Sequence, residues 1–298
     1  MHERLRWAVI GVGTAGRARA GAIRADPRAA LVAVHHGRHA AEIGAPIAET
    51  LHEAIEAADA VAIASPTALH PEQARAVLER ARHVLVEFPL APDTATALAL
   101  FDRARAAGRV LHVEHIELLD PPCAALRAAV RPERVEAATV TFHGPGSGSA
   151  AAAELALGNV ARLHRLVAAC GPVAAVRAVE HVPGLLRADL TLTSGAPVRL
   201  RFERGPGLAR QTSLEIVEGG RTWHQTNDRL SRDGAPVDLP GPIPLFATDQ
   251  RYASARILDG APHYVSEARI AHVLDIVGLL GDLRPGSLPH RSDAGAHP

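Results

Sequence analysis

Gly11-Val12-Gly13-Thr14-Ala15-Gly16 spaces three glycines as GxGxxG between an apolar run, residues 7–12, and a stretch rich in Ala and Arg. Between a strand and a helix, that spacing suits a dinucleotide. Gly11 permits a tight turn, Gly13 lets backbone approach a pyrophosphate, and Gly16 lets helix and strand pack closely. Thr14 and Ala15 open the helix, whose N-terminus faces the negative charge. At the end of the next apolar run, an acid ordinarily holds the ribose hydroxyls of NAD. Here stand His35-His36-Gly37-Arg38. The planar fork of Arg38 suits a 2′-phosphate, so NADPH is expected over NADH; a solvated loop arginine is the alternative. Ser65, Pro66 and His70, in SPTALHP, fall after a third apolar run. His70 either lies near the cofactor or caps the helix starting at Pro71.

A second set follows strand-like runs further on. HVLVEFPLAP, residues 83–92, ends a buried run in Glu87-Phe88-Pro89. Glu87 can hydrogen-bond the nicotinamide ribose or carboxamide, or carry a proton if burial raises its pKa; a carboxylate capping the next turn is the plain alternative. Glu114 and His115 close the next run and are expected beside substrate, Glu114 as a brace. Arg162 lies at the margin of a helical stripe of Val160, Leu163, Leu166, Val167 and Cys170. As a permanent cation it would stabilise negative charge or order a water, or else make a boundary salt bridge. Arg204 and Arg210 flank GPGL and can meet carboxylates or remain solvated.

Short apolar runs alternate with helical stretches through residue 115, the pattern of a doubly wound parallel sheet. After about residue 120, strand-like runs follow one another across Gly, Pro and Ser turns, which predicts an antiparallel sheet. The expected fold class is α/β: an N-terminal Rossmann domain, 1–119, then an α+β domain, 120–284, with a large, mainly antiparallel sheet. Residues 151–170 read as one helix and 264–281 as another. The polar tail, 285–298, is expected to be disordered.

The 298 residues carry no net charge, so nothing calls for nucleic acid or an anionic membrane. No apolar run approaches the ~20 residues of a membrane span. MHERLRWAVIG enters a strand directly, so a soluble cytoplasmic protein is expected. The two cysteines and 17 histidines form no metal-ligand spacing, and no metal is expected. All 32 basic residues are arginine; lysine chemistry is excluded.

HVLVEFPL, GRVLHVEHIELL, GNVARLHRLVAACG, GPGLAR and TDQRYASARILDG, in that order, resemble segments of the Gfo/Idh/MocA oxidoreductases, and within them the biliverdin reductases of mammalian and cyanobacterial type. The resemblance covers roughly residues 5–282. It implies hydride transfer from NADPH to the central methine carbon of biliverdin, a linear tetrapyrrole, with Arg162 supporting substrate protonation. Phe88, Glu114, His115, Arg162, Arg204 and Arg210 are the expected substrate contacts. Gly11, Gly13, Thr14, Ala15, Gly16, Gly37, Arg38, Ser65, Pro66, His70, Glu87 and Phe88 are the expected cofactor contacts. Sugar-handling members carry Glu-Lys-Pro at this strand end, and the closer relatives carry an aromatic, usually tyrosine. Phe88 departs from both. Another substrate, or a non-catalytic cofactor- or bilin-binding role, is the rival reading, and a monomer or a homodimer through the C-terminal sheet is implied.

Overall fold

A computed structural model describes residues 4–289 and 291. The chain divides into two compact units. The first takes residues through Ile116 together with Pro244–Glu267; the second takes Glu117–Ile243 and the segment from Ala268.

The first unit runs β1 (Leu5–Ile10), α1 (Thr14–Ala25), β2 (Ala29–His35), α2 (Ala40–Ile43), α3 (Leu51–Glu56), β3 (Ala60–Ile63), α4 (His70–Glu79), β4 (His83–Val86), α5 (Thr94–Ala106) and β5 (Leu111–Val113). The strands form a parallel sheet in the order β2-β1-β3-β4-β5. All four residues of β3 are buried, as a central strand covered on both faces requires. Side-chain caps fix two helix starts: Thr50 accepts from Glu53 N at 3.1 Å, and Asp93 accepts from Thr96 N at 2.8 Å.

A later helix, Leu245–Asp259, also belongs to this unit. Its Ala253 enters the core of Trp7, Val9, Ile23, Val34 and Leu85. The expected boundary at 119 therefore needs correction. The chain returns to its first unit because Ala253, Ser254 and Asp249 bury against β1 and α1 partners, which single-sequence texture does not reveal.

The second unit contains α6 (Pro121–Ala129), β6 (Val135–Pro145), α7 (Ala152–Leu157), α8 (Val160–Cys170), β7 (Val173–Val182), β8 (Leu185–Leu192), β9 (Pro197–Gly205), β10 (Gln211–Glu218), β11 (Arg221–Thr226), β12 (Arg229–Arg232), β13 (Ala235–Pro236), α10 (Glu267–Gly281) and β14 (Gly286–Ser287); the Leu245–Asp259 helix is α9. Its nine-stranded sheet has the order β13-β12-β11-β10-β6-β9-β8-β7-β14. Every pairing is antiparallel except β6 with β9. Alternation along β8 buries Leu186, Ala188, Leu190 and Leu192 on one face.

The helix expected over 151–170 is two helices. The break falls at Gly158-Asn159, where buried Asn159 donates from Nδ2 to Leu155 O at 2.7 Å. The expected disordered tail also needs correction, because Gly286–Ser287 pairs with β7. Residues 290 and 292–298 of that tail lie outside the described residues. Among the described residues, no helix is long and apolar enough to cross a membrane.

Candidate functional site

The order of the parallel sheet reverses between β1 and β3, the crevice where doubly wound folds take ligands. The glycine loop follows β1 there. A Cβ on Gly11, which has φ +84°, would sit 2.5 Å from Ser65 N; one on Gly16 would sit 2.2 Å from Gly11 O. Both glycines are demanded by packing within the protein. Gly13 differs: a Cβ there would meet nothing within 4 Å. No packing inside the chain requires glycine at 13, so the open space over its backbone is what the missing side chain preserves. No side chain caps α1, and its first turn holds no acid. The first backbone N–H groups of Thr14, Ala15 and Gly16 thus head a helix without internal acceptors. These residues fit a dinucleotide pyrophosphate.

The loop after β2 is zipped to this turn. Val12 N donates to His36 O at 2.7 Å and His39 N to Val12 O at 3.1 Å. Gly37 follows, and exposed Arg38 points Nη2 at Thr14 Oγ1, 3.3 Å away. A guanidinium beside the start of α1 is where a 2′-phosphate on the adenosine ribose can be met.

His70 does not face a ligand. It is buried, with Nδ1 2.8 Å from Pro89 O and Nε2 2.8 Å from Ser65 O. That corrects its expected role: the ring staples the Ser65-Pro66 turn to the end of β4, and Ser65 Oγ is spent on Gln73 Oε1 at 2.5 Å.

Glu87 is likewise engaged. Its Oε1 accepts from Arg19 Nε at 2.9 Å and lies 2.9 Å from Arg19 Nη2. Arg19, on α1, has no exposed side-chain surface, and its Nη1 reaches Asp249 Oδ2 of α9 at 2.8 Å. Asp249 Oδ1 accepts from His112 Nε2 at 2.8 Å and from the Tyr264 hydroxyl at 2.6 Å. Tyr264 OH accepts in turn from His115 N at 2.9 Å. Glu114 Oε1 accepts from Ile116 N at 2.8 Å. Glu114 and His115 are buried, not presented as open substrate contacts. The His115 ring lies nearly parallel to half-buried Phe88, with centroids 6.0 Å apart.

The electrostatics follow from this arrangement. Burial pushes Glu87 up; Arg19 pulls it down, Asp249 pushes it further up, and the net result is raised. Burial would also raise Asp249, but His112 and Arg19 outweigh it and hold that carboxyl well below the usual range. Asp249 is therefore a fixed charge, whereas Glu87 gives up its proton less readily than an exposed glutamate.

In the second unit, Arg162 of α8 stacks its guanidinium 4.3 Å from the Phe142 ring centroid. Its polar contacts are long: 3.3 Å to Gly158 O and 3.5 Å to Thr212 Oγ1. Among the described residues no carboxylate pairs with it. Burial first, then repulsion from Arg210, Arg165 and Arg204, pulls it down to about 10 against a pull from Glu117. Exposed Arg204 lays Nη2 across Gly158, 3.1 Å from where a Cβ would stand. Arg162, Arg204 and Arg210 form one cationic neighbourhood.

Sequence reading passed over Arg19, His112, Asp249 and Tyr264. A signal existed for Arg19: it lies at i+3 from Gly16 in the stripe Gly16, Arg19, Ala20, Ile23, whose members are all buried. A charge inside such a stripe needs a buried partner. That partner lies 230 positions on, beyond any local pattern.

Residues 5–115 match the model of the oxidoreductase family with an NAD-binding Rossmann fold. The chain is 28% identical over 288 residues to biliverdin reductase A of Homo sapiens, covering 93% of this chain and 94% of that one. It is 33% identical over 129 residues to UDP-N-acetylglucosamine 3-dehydrogenase of Acidithiobacillus ferrooxidans, covering 42% of this chain and 41% of that one. In fold it resembles the crystal structure of biliverdin reductase with biliverdin and NADP+ from Synechocystis sp. PCC 6803, with a TM-score of 0.81 and 22% identity over 94% of this chain and 99% of that one.

Proposed function

We propose that this chain, whose residues 5–115 match the model of the oxidoreductase family with an NAD-binding Rossmann fold, reduces biliverdin to bilirubin with NADPH. The observation that carries the substrate is the state of Arg162: a half-buried cation on an aromatic ring, among other arginines, with no carboxylate partner among the described residues. Such a group is stabilised by an incoming anion on a flat apolar body. Biliverdin is planar, conjugated and carries two propionates. A neutral sugar offers neither the flat apolar surface nor the charge, and Phe88 stands where sugar-handling members of the family use lysine.

Bound NADPH supplies the hydride, to the central methine carbon. The chain's own tasks are to hold and to manage a proton. Gly13, Thr14, Ala15 and Gly16 receive the pyrophosphate. Arg38 meets the 2′-phosphate, and Phe88 offers a ring surface. Arg162 supports substrate protonation by stabilising negative charge on the substrate or ordering a water, and Arg204 and Arg210 meet propionates. A second reading, another substrate of the same family, is favoured by the likeness to the sugar dehydrogenase.

The test mixes protein, NADPH and biliverdin and follows the visible spectrum. Loss of the biliverdin band with growth of the bilirubin band is expected. Binding of both ligands without that change would point to a regulatory binding protein, and no bilin binding to the second reading.

A further inference from the structure

A phosphate monoester carries close to two negative charges at neutral pH, and Arg38 brings one positive charge to the start of α1. Among the described residues no carboxylate pairs with Arg38; its polar contact is Thr14 Oγ1 at 3.3 Å. A second cation stands on the same helix. Arg17 follows Thr14 by three positions on α1, so the two side chains share one face of the helix, and both residues are exposed. Arg17 is held only loosely: its Nη1 lies 3.5 Å from Glu42 Oε2 on α2, with both side chains more than half exposed. An exposed pair of this length contributes little and exchanges partners readily. The other Glu42 oxygen, Oε1, accepts from His39 Nδ1 at 2.9 Å. His39 follows Arg38 directly, and its backbone N–H donates to Val12 O at 3.1 Å, which fixes it against the glycine loop.

We propose that Arg17 is a second ligand of the cofactor's 2′-phosphate and that Glu42 is a built-in competitor for it, so that Glu42 sets how strongly this chain prefers NADPH over NADH. Without cofactor, Glu42 bridges Arg17 and His39. The hydrogen bond from His39 first, and the Arg17 charge after it, hold the Glu42 carboxyl below its usual range against desolvation, so it is a carboxylate at neutral pH. A carboxylate only accepts, so His39 Nδ1 carries the donated proton. A 2′-phosphate at Arg38 and Thr14 offers Arg17 a more highly charged partner. Arg17 leaves Oε2 for it while Oε1 stays on His39, and Glu42 is not left without a donor. NADH carries a ribose hydroxyl at this place. It has no charge with which to displace Glu42, and the Arg17–Glu42 pair stays closed. Glu42 sits in the first turn of a four-residue helix, where an acid is favourable in itself; the reach across to α1 is what that helix does not require.

The proposal rests on the 2′-phosphate lying at Arg38, and its test is binding, not turnover. Dissociation constants of the full chain for NADPH and NADH are measured by fluorescence titration. Glu42→Gln should tighten NADPH by about threefold. Arg17→Ala should weaken NADPH by about fivefold or more, and NADH should change by less than about twofold in either variant. In the double variant the gain from Glu42→Gln should vanish, because the cation that Glu42 withholds is gone. Both residues are exposed, so the melting temperature should stay with the wild type. An acid that serves α2 alone would lower stability in Glu42→Gln and leave the ratio of the two constants where it was. That result, an equal shift for both cofactors, or a gain from Glu42→Gln that survives in Arg17→Ala overturns the proposal. Arg38→Ala separates the proposal from the reading beneath it. If Arg38→Ala weakens NADPH alone while the Arg17 and Glu42 variants leave the ratio unmoved, the 2′-phosphate site stands and the competition for Arg17 is overturned. If Arg38→Ala weakens both cofactors alike, no 2′-phosphate is met at this loop and both are overturned.

Discussion

Arg19 Nη1 lies 2.8 Å from Asp249 Oδ2, and neither side chain has exposed surface. This contact joins the helix after the glycine loop to a helix that arrives only after eight of the nine strands of the second sheet have been laid down. It locks the position of Glu87, the other partner of Arg19.

Removing the cation alone should be costly. Arg19→Met keeps much of the volume but leaves Asp249 and Glu87 facing each other unneutralised. Loss of one member of a buried ion cluster costs roughly 3–5 kcal/mol. Urea denaturation should report a loss of that order, while Arg28→Ala, at the exposed Arg28–Asp259 pair, should leave the midpoint nearly unmoved. A change in Arg19→Met of under about 1 kcal/mol would deny the cluster a role in stability.

The same contact marks the limit of what could be read from the sequence. Local signals carried far: the alternation of apolar runs and helices gave the parallel sheet, and GxGxxG gave the turn where a Cβ on Gly11 or Gly16 would stand 2.5 Å or 2.2 Å from backbone. Strand patterning predicted the second sheet because side chains alternate across it, as along β8. What failed was nonlocal. Nothing near Glu87 says that its partner is Arg19, and nothing near residue 249 says that its helix returns to the first core. His70 illustrates a related limit: position at a strand edge was legible, but not the two carbonyls that occupy its ring.

Stability should fall on mild acidification. Burial keeps His112 below its ordinary pKa; for His263 burial comes first, then repulsion by His112 and Arg256, and the shift is larger. A depressed histidine is neutral when folded, so its contribution is complete above the unfolded value of about 6.5 and is lost as pH falls through it. Each contributes a slope of up to about 1.4 kcal/mol per pH unit. Glu87, raised in the fold, acts in the opposite sense. Unfolding free energy measured at pH 7.5, 6.5 and 5.5 should decline, and His263→Gln should flatten the decline. A pH-independent wild type would contradict this.

Gly13→Ala separates a ligand-binding turn from a merely structural one. The added methyl meets no atom within 4 Å, at a φ of −86° that any residue adopts. The melting temperature should stay within the effect of about 0.5 kcal/mol expected for a neutral substitution. NADPH affinity should fall about tenfold or more, because the methyl enters the space over the loop. Unchanged affinity would mean that no pyrophosphate approaches there.

Arg38→Ala tests which cofactor the loop selects. A hydrogen bond to a charged group contributes about 1.5–3 kcal/mol. The Kd for NADPH, titrated by fluorescence, should therefore rise by about tenfold or more. NADH lacks the 2′-phosphate and should lose less than about twofold. Equal losses for both cofactors would leave Arg38 as a brace for Thr14.

Phe88→Tyr asks whether the missing hydroxyl matters. The ring is half-buried and stacked against His115, with centroids 6.0 Å apart, so tyrosine keeps the packing and changes the chemistry at one atom. If Arg162 supports protonation by ordering a water, the hydroxyl is dispensable. The rate of biliverdin reduction should then change by less than about tenfold, or ~1.4 kcal/mol in barrier. Phe88→Ala, by removing the ring, should instead raise KM. A gain of several orders in kcat for Phe88→Tyr would show that the reaction wants a phenol at this position. The reduction of biliverdin by this chain would then be a diminished activity.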